Sequence, residues 1–330
     1  MPKLSGLALS RSALDRRAEH RSDQELADYW ADPRARVLPL VGGLAAVEHP
    51  AAGPDGEPKS ADPIQAEGDG SALVYRPAAT YERMAPFFLG VDIDSVPYFA
   101  IQTESTVEAG LPADARLVGL REVGFRLDAR DAGAYVHAHA LARWHDSHPH
   151  CAACGARTEV TEGGHVRVCP VCGVQHFPRT DPAIIVLVSD RAGRALLARN
   201  AQWPEHRFST IAGFVEPGEA LEAAVVREVH EETGIEVAEP EYAGSQPWPF
   251  PASLMVGFFA RALSDRIVVD EQEIAEARWF TREELCAGYA SGALAGPTPG
   301  SIAGRLIRTW LGPMAERFSS NAEDGADVRR

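Results

Sequence analysis

Lysine is almost absent from this chain, occurring only at Lys3 and Lys59, so arginine supplies nearly all of the 32 basic residues. Acidic residues number 47, and the formal charge is −15. A protein this negative gains no sequence-independent attraction from counterion release on nucleic acid, which argues against a general DNA or RNA binder. Arginine still favours bidentate phosphate contacts, and a local arginine patch can act against the net charge. Long apolar runs are also missing. Ile184–Val188 and Leu254–Ala260 fall far short of the ~18 residues a membrane helix needs, and both read as strands. Met1–Arg17 has scattered arginines and no apolar stretch of the kind a secretory signal requires, so a cytoplasmic protein is expected.

A length of 330 residues suggests two domains with room for a small third module, and a hydrophobic share of 45% against 24% charged is ordinary for a globular protein. Residues 1–145 read as an α+β domain. It has a helix at Asp23–Tyr29, strands at Arg36–Leu40, Leu73–Tyr75, Phe87–Leu89, Tyr98–Gln102 and Leu117–Gly119, and a long helix at Asp128–His145. Residues 49–72, rich in Pro, Gly, Asp and Ala, read as a flexible insertion. This first region shows no recognisable chemistry of its own.

Only five cysteines are present, and four of them stand at 151, 154, 169 and 172 as two C-x2-C knuckles. Thiolates spaced this way on tight turns converge on one ion, and Gly155 and Gly173 relieve the turns. The pattern predicts a closed four-cysteine zinc ribbon over residues 146–178, structural rather than catalytic. A disulfide pair and a thioredoxin-like redox motif are the alternatives. The first is disfavoured in a reducing compartment, and the second uses a single C-x-x-C. Cys286 reads as a buried small hydrophobe. His137, His139, His145, His148 and His150 lack strong ligand spacing and read as solvated or capping residues.

Beyond Asp181 the pattern becomes strand-rich: Ala183–Val188, Arg194–Arg199, Arg207–Ala212, Leu254–Ala260, Ile267–Val269 and Ala277–Phe280. Helices are expected at Glu219–Thr233, Arg282–Tyr289 and Ile302–Leu311, with a disordered tail over residues 315–330. In the first of these helices Leu221, Val225 and Val229 recur every four residues, and Gly234 supplies the stop. Glu228, Glu231 and Glu232 lie at i, i+3 and i+4, so their carboxylates share one side of the helix. Like charges this close repel unless a cation intervenes, and a hard divalent ion such as Mg2+ or Mn2+ takes oxygen ligands. A solvated acidic face is the alternative. Against it stands the loop Gly213–Gly218, whose glycines let backbone carbonyls approach an ion.

Residues 213–235, GFVEPGEALEAAVVREVHEETGI, match the Nudix box G-x5-E-x7-R-E-U-x-E-E-x-G-U at every specified position. Gly213, Glu219, Arg227, Glu228, Val229, Glu231, Glu232, Gly234 and Ile235 fill those positions. Downstream, Ser245–Met255 (SQPWPFPASLM) resembles the SQPWPFPxS signature of the NADH pyrophosphatase, NudC-type branch of the Nudix hydrolases, and the zinc ribbon precedes the box as in that branch. The resemblance covers roughly residues 120–312; the N-terminal region matches only in general character.

This resemblance implies a Nudix domain at 179–314 built as an α/β/α sandwich with a mixed sheet, completing an α+β multi-domain chain. It implies Mg2+- or Mn2+-dependent hydrolysis of the pyrophosphate of NAD(H) to NMN(H) and AMP. Glu228 and Glu232 are implied as the main metal ligands, with Glu231 as a further ligand or a water-orienting group. Ala212 is implied to offer its backbone carbonyl, and Glu273 to be a distal ligand with Glu276 as the fallback. Gln246, Pro247, Trp248, Pro249, Phe250, Pro251, Ala252 and Ser253 are implied to line the substrate pocket, where the flat faces of Trp248 and Phe250 suit a nucleobase or nicotinamide ring. Ala303 and Arg121 are further substrate-contact candidates. Two departures touch substrate contact: Phe177 replaces the tyrosine common in the branch, and Gly164 stands where the branch can carry a glutamate, with Glu162 displaced. Members of the branch are typically homodimers. Removal of 5′ NAD caps from RNA uses the same site, and a non-catalytic nucleotide sensor is the reading from another class.

Overall fold

Glycines set the first turn of the structure. Gly42 and Gly43, at φ 57° and 83°, join β1 (Arg36–Val41) to the antiparallel β2 (Leu44–Glu48), a strand not expected from the sequence. The computed structural model describes residues 3–4, 6–48, 70–81, 86–269, 272–298 and 300–315. The expected insertion and tail lie, but for their edges, outside the described residues. β3 (Ala72–Leu73), β4 (Arg76–Pro77), β5 (Phe87–Val91), β6 (Pro97–Thr103) and β7 (Leu117–Val118) complete a sheet of order β3-β2-β1-β6-β5, with β4 on β1 and β7 on β2. β1 and β6 run parallel.

α1 (Asp23–Ala31) begins with a capping box between Ser22 and Glu25. The short α2 (Leu120–Val123) leads into α3 (Ala129–Ser147), where Asp128 accepts from the Asp131 N–H. α3 lays Ala132, Tyr135, Ala138 and Leu141 against Leu38, Leu40, Tyr98 and Ala100 of the sheet. The histidines of α3 depart from expectation. His137 and His145 are buried rather than solvated, because α3 is covered by the sheet on one side and by the ribbon on another. His145 takes Arg167 at 2.7 Å and the Gly164 carbonyl at 2.9 Å.

The ribbon is a three-stranded antiparallel sheet of β8 (Glu159–Thr161), β9 (Val166–Val168) and β10 (Gln175–His176), in the order β10-β9-β8. Each knuckle closes as the sequence predicts. Gly155 and Gly173 take φ 77° and 73°, and their N–H groups donate to Cys151 and Cys169 carbonyls at 2.9 Å.

The third sheet holds β11 (Asp181–Ser189), β12 (Ala195–Asn200), β13 (Ile211–Phe214), β14 (Val237–Trp248), β15 (Ser253–Ala262) and β16 (Ile274–Phe280), in the order β14-β15-β11-β12-β16 with β13 on β11. β11 and β15 are parallel, the other pairs antiparallel. Alternation along β11 makes the sandwich. Ile184, Val186 and Val188 pack on Ala224, Val225 and Val229 of α4 (Leu221–Thr233). Ile185 and Leu187 pack with Leu285 of α5 (Arg282–Ser291) and with Leu306 and Ile307 of α6 (Ile302–Leu311).

Three local expectations change. Ile267–Val269 is not a strand; its side chains lie over the α4-side core and Val268 is exposed. The strand expected from Arg207 starts only at Ile211, with isolated bridges at Arg207 and Ser209 before it. β14 is not expected from the sequence, because Pro240 and Pro247 interrupt its pattern. It tolerates them as the edge strand, where a missing N–H costs no ladder bond, and a register shift lies between Ala238 and Glu241. Among the described residues no helix is long and apolar enough to cross a membrane.

Candidate functional site

Arg227 organises the acidic face of α4. Its guanidinium donates to Glu219 at 2.8 Å through two nitrogens, to Glu228 and Glu231 at 2.9 Å, and to the Phe214 carbonyl at 2.9 Å. That clamp fastens the strand β13 and the following loop to the helix, and it holds Glu219 down at about 2. Glu219 and Arg227 match the box, but their spacing alone gives neither a role. Gly213 belongs to the same construction. A Cβ there would overlap the Glu228 carboxyl group, so only glycine lets β13 approach the helix this closely.

The clamp leaves Glu232 without a cation. It is buried, and burial first, then the charges of Glu228 and Glu273, push its carboxyl up to about 8. Glu228 is also raised by burial, against the pull of Arg227. Carboxylates forced together in a poorly solvated place, with one arginine already saturated, fit the oxygen-donor site of a divalent cation. Glu231 is more exposed and turned toward Arg227, while Glu273 sits in the turn before β16, its carbonyl accepting from Ala201 at 2.9 Å. Ala212 lies in β13 opposite Ile185.

The four ribbon cysteines offer sulfurs that all lie within 4.8 Å of one another, the one cluster of three or more metal-binding side chains so tightly drawn among the described residues. Backbone N–H groups, Cys172 first, hold Cys169 down at about 6, while Cys154 and Cys172, hydrogen-bonded to the neighbouring sulfurs, are pushed up. Four sulfurs converging this closely fit tetrahedral zinc. Gly164, at φ 90°, abuts Phe87, and a Cβ there would stand 2.6 Å from that ring. A glutamate at this position is sterically excluded, which explains the departure noted in the sequence.

The residues of 246–253 do not share one pocket, because β14 alternates up to Trp248 and residues 249–252 form the turn before β15. Pairing matches Gln246 with Met255, Pro247 with Leu254 and Trp248 with Ser253. Gln246, Trp248 and Met255 face a cavity of about 250 Å³ that also takes Arg121, Phe125, Ile185, Arg207, Ser209 and Ala303. Pro247 on the reverse face, with Pro249, Pro251, Ala252 and Ser253 in and after the turn, lines a different space. Phe250 packs toward the N-terminal sheet. The Arg121 guanidinium lies 4.3 Å from its ring centroid and 5.6 Å from that of Trp248. Gln246 is fully buried and both ends of its amide are occupied. Nε2 donates to the Gly300 carbonyl at 3.1 Å, and Oε1 accepts from the Ile302 N–H at 2.8 Å. It therefore shapes the α6 wall that presents Ala303. Phe177 is 63% exposed and lies outside these cavities. Ile185, Arg207, Ser209 and Phe125 carried no sequence signal, since they reach the cavity from separate elements.

Comparisons with known proteins agree in their parts. The NUDIX domain model matches residues 179–296, the NADH pyrophosphatase zinc ribbon model residues 146–177, and the NADH pyrophosphatase-like rudimentary NUDIX domain model residues 36–144. The last match gives the N-terminal sheet a kinship that the sequence suggested only in general character. The chain is 46% identical over 209 residues to the NAD-capped RNA hydrolase NudC of Mycobacterium tuberculosis, spanning 61% of this chain and 66% of that protein. It is 37% identical over 240 residues to the human NAD-capped RNA hydrolase NUDT12, spanning 69% of this chain and 50% of that protein. The chain thus covers about two thirds of the first relative and half of the second. A NUDIX hydrolase from Nitrosomonas europaea superposes on 49% of this chain and 89% of its own, with a TM-score of 0.39 at 22% identity.

Proposed function

We propose, from the premise that this chain belongs to the Nudix hydrolases in their NADH pyrophosphatase branch, that it hydrolyses the pyrophosphate of NAD(H) to NMN(H) and AMP. The observation that carries this reading is the adjacency of two features. Half-buried Glu228 and buried Glu232 stand on the α4 side of β13, where Gly213 meets the Glu228 carboxyl, while Ile185, the cross-strand partner of Ala212, lines the cavity of Arg121, Trp248 and Ala303. A ring held in that cavity leaves its phosphates to extend past β13 toward the glutamates.

In this reading Glu228 and Glu232 are the main ligands of Mg2+ or Mn2+, Glu231 a further ligand or water-orienting group, the Ala212 carbonyl a backbone ligand and Glu273 a distal one. The divalent ion supplies charge neutralisation of the phosphate oxygens and activation of water. The chain's own residues do the rest. Arg227 fixes the carboxylates of Glu219, Glu228 and Glu231; Trp248 and the Arg121 guanidinium flank the ring; Gln246 holds the α6 wall in place. Water adds to one phosphorus, the bridging P–O bond breaks, and the released phosphate takes the proton.

The same site accommodates an NAD cap at the 5′ end of RNA, and the names of the two relatives favour this second substrate. A homodimer and a cytoplasmic location complete the reading; a second copy would give the exposed Phe177 a surface to pack on. A non-catalytic sensor is disfavoured by the intact glutamates. The test is incubation with NADH, NAD+, ADP-ribose, diadenosine polyphosphates and NAD-capped RNA in Mg2+ or Mn2+, with products resolved. Glu232→Gln is expected to abolish turnover while melting like the parent. Near-parental activity in that variant would overturn the assignment.

A further inference from the structure

Trp248 and Phe250 belong to the third sheet and its turn, yet both pack on the core of the N-terminal sheet. Of the two rings, Trp248 faces the substrate cavity and Phe250 stands behind it. Phe250 lies in the turn after β14 and has no cross-strand partner, so the place of its ring is set by the groups around it. Three groups surround it. The Trp248 ring meets it edge-on with centroids 5.1 Å apart, the Arg121 guanidinium lies 4.3 Å from its centroid, and the His139 ring lies 5.5 Å away on the α3 side. Because Arg121 also reaches Trp248, a continuous stack runs from His139 through Phe250 and Arg121 to the cavity wall.

The outer end of that stack is fixed by α3. His139 Nδ1 donates to the Gly43 carbonyl at 3.3 Å, and the ring stands edge-on to Tyr135, one turn earlier, with centroids 6.1 Å apart. Tyr135 is fully buried. Its hydroxyl donates to the Val118 carbonyl at 2.7 Å, with the Gly43 carbonyl alongside at 3.1 Å, and accepts from the Ala45 N–H at 3.0 Å. Val118 ends β7, and α2 with Arg121 follows directly. One turn of α3 thus fastens both supports of Phe250: Arg121 by way of Val118, and His139 itself.

We propose that His139 is a positioning residue for the hydrolysis: its ring holds Phe250 in place and, through Phe250, the Arg121–Trp248 wall of the substrate cavity. This inference rests on the proposed function and gives the N-terminal domain a part in it. Without the imidazole ring, Phe250 relaxes into the hollow that Gly42, Gly43 and Arg143 line behind it, and the Arg121 guanidinium loses one of its two aromatic faces. The wall then holds the substrate ring less well in ground state and transition state alike, so KM rises while kcat is kept.

The test compares two full-chain variants of similar bulk. His139→Phe keeps a flat ring beside Phe250 and gives up the bond to Gly43; His139→Gln keeps a donor for Gly43 and gives up the ring. His139→Gln is expected to raise KM for NADH about three- to tenfold, the worth of one aromatic contact, with kcat within about twofold. His139→Phe is expected to stay near the parental KM even where its urea midpoint falls. In a Phe250→Leu background His139→Gln should add little, because it acts through a ring already removed. A parental KM in His139→Gln, a KM raised equally in His139→Phe, or additive effects in the double variant would each overturn the proposal. A parent that turns over none of the substrates sinks the proposed activity, and this inference falls with it; an active parent with indifferent His139 variants sinks the inference alone.

Discussion

Replacing Gln246 by leucine tests whether the substrate cavity is built by buried hydrogen bonds. Leucine is close in volume and leaves little void, so the loss is polar. In the parent, Oε1 accepts from the Ile302 N–H and Nε2 donates to the Gly300 carbonyl. Ile302 is the first residue of α6, so its N–H has no intrahelical partner, and at 2% exposure it cannot reach water. A buried donor stranded in this way costs about 1–3 kcal/mol. Gly300 is half-buried, and its carbonyl recovers part of its loss from solvent. The two together give about 2–4 kcal/mol. Ser301 still caps the helix by accepting from Gly304 at 3.2 Å, so α6 is retained. Urea unfolding should show that loss as a lower midpoint at unchanged slope, and KM for NADH should rise more than kcat falls, because Ala303 loses its position. A stability change under about 0.5 kcal/mol would refute the reasoning, since that is the size of an ordinary surface substitution.

Gly213→Ala should cost about a hundredfold in kcat with the fold intact, because its backbone accepts alanine while the new methyl displaces the Glu228 carboxyl group; parental kcat would count against the close approach. Burial holds His165 at about 4 and pulls His137, His139 and His145 down as well. Unfolded histidines bind protons near pH 6.5 and the folded ones do not until far lower, so stability is present above that pH and is lost as pH falls toward 4. Between pH 7.5 and 5 His165 alone accounts for about 2 kcal/mol, read as a falling urea midpoint; a flat profile would contradict its burial. Chelation of zinc should expose four thiols to a thiol reagent while Cys286, on the buried face of α5, stays protected; thiols indifferent to the chelator would refute the zinc site.

Much of the chemistry was legible because it is local. The Nudix glutamates are neighbours on one helix turn, and the cysteine knuckles are neighbours on two tight turns, so spacing alone brings their ligands together. Arg121 was nominated by resemblance, but its place between Trp248 and Phe250 depends on α2 packing against the hairpin. Gln246 lies in the motif and lines the cavity, but its amide is consumed by the 300–302 backbone, which no local pattern reveals.

Sequence by itself determined the acidic helix, the zinc ribbon and the family resemblance, since each rests on side chains held close by short stretches of backbone. Tertiary structure alone decided which face of 246–253 meets which cavity, and which glutamates the arginine clamp neutralises. The physical reason is that strand alternation and burial depend on partners far away in the chain. A charge or a ring has no fixed meaning until those partners define what surrounds it.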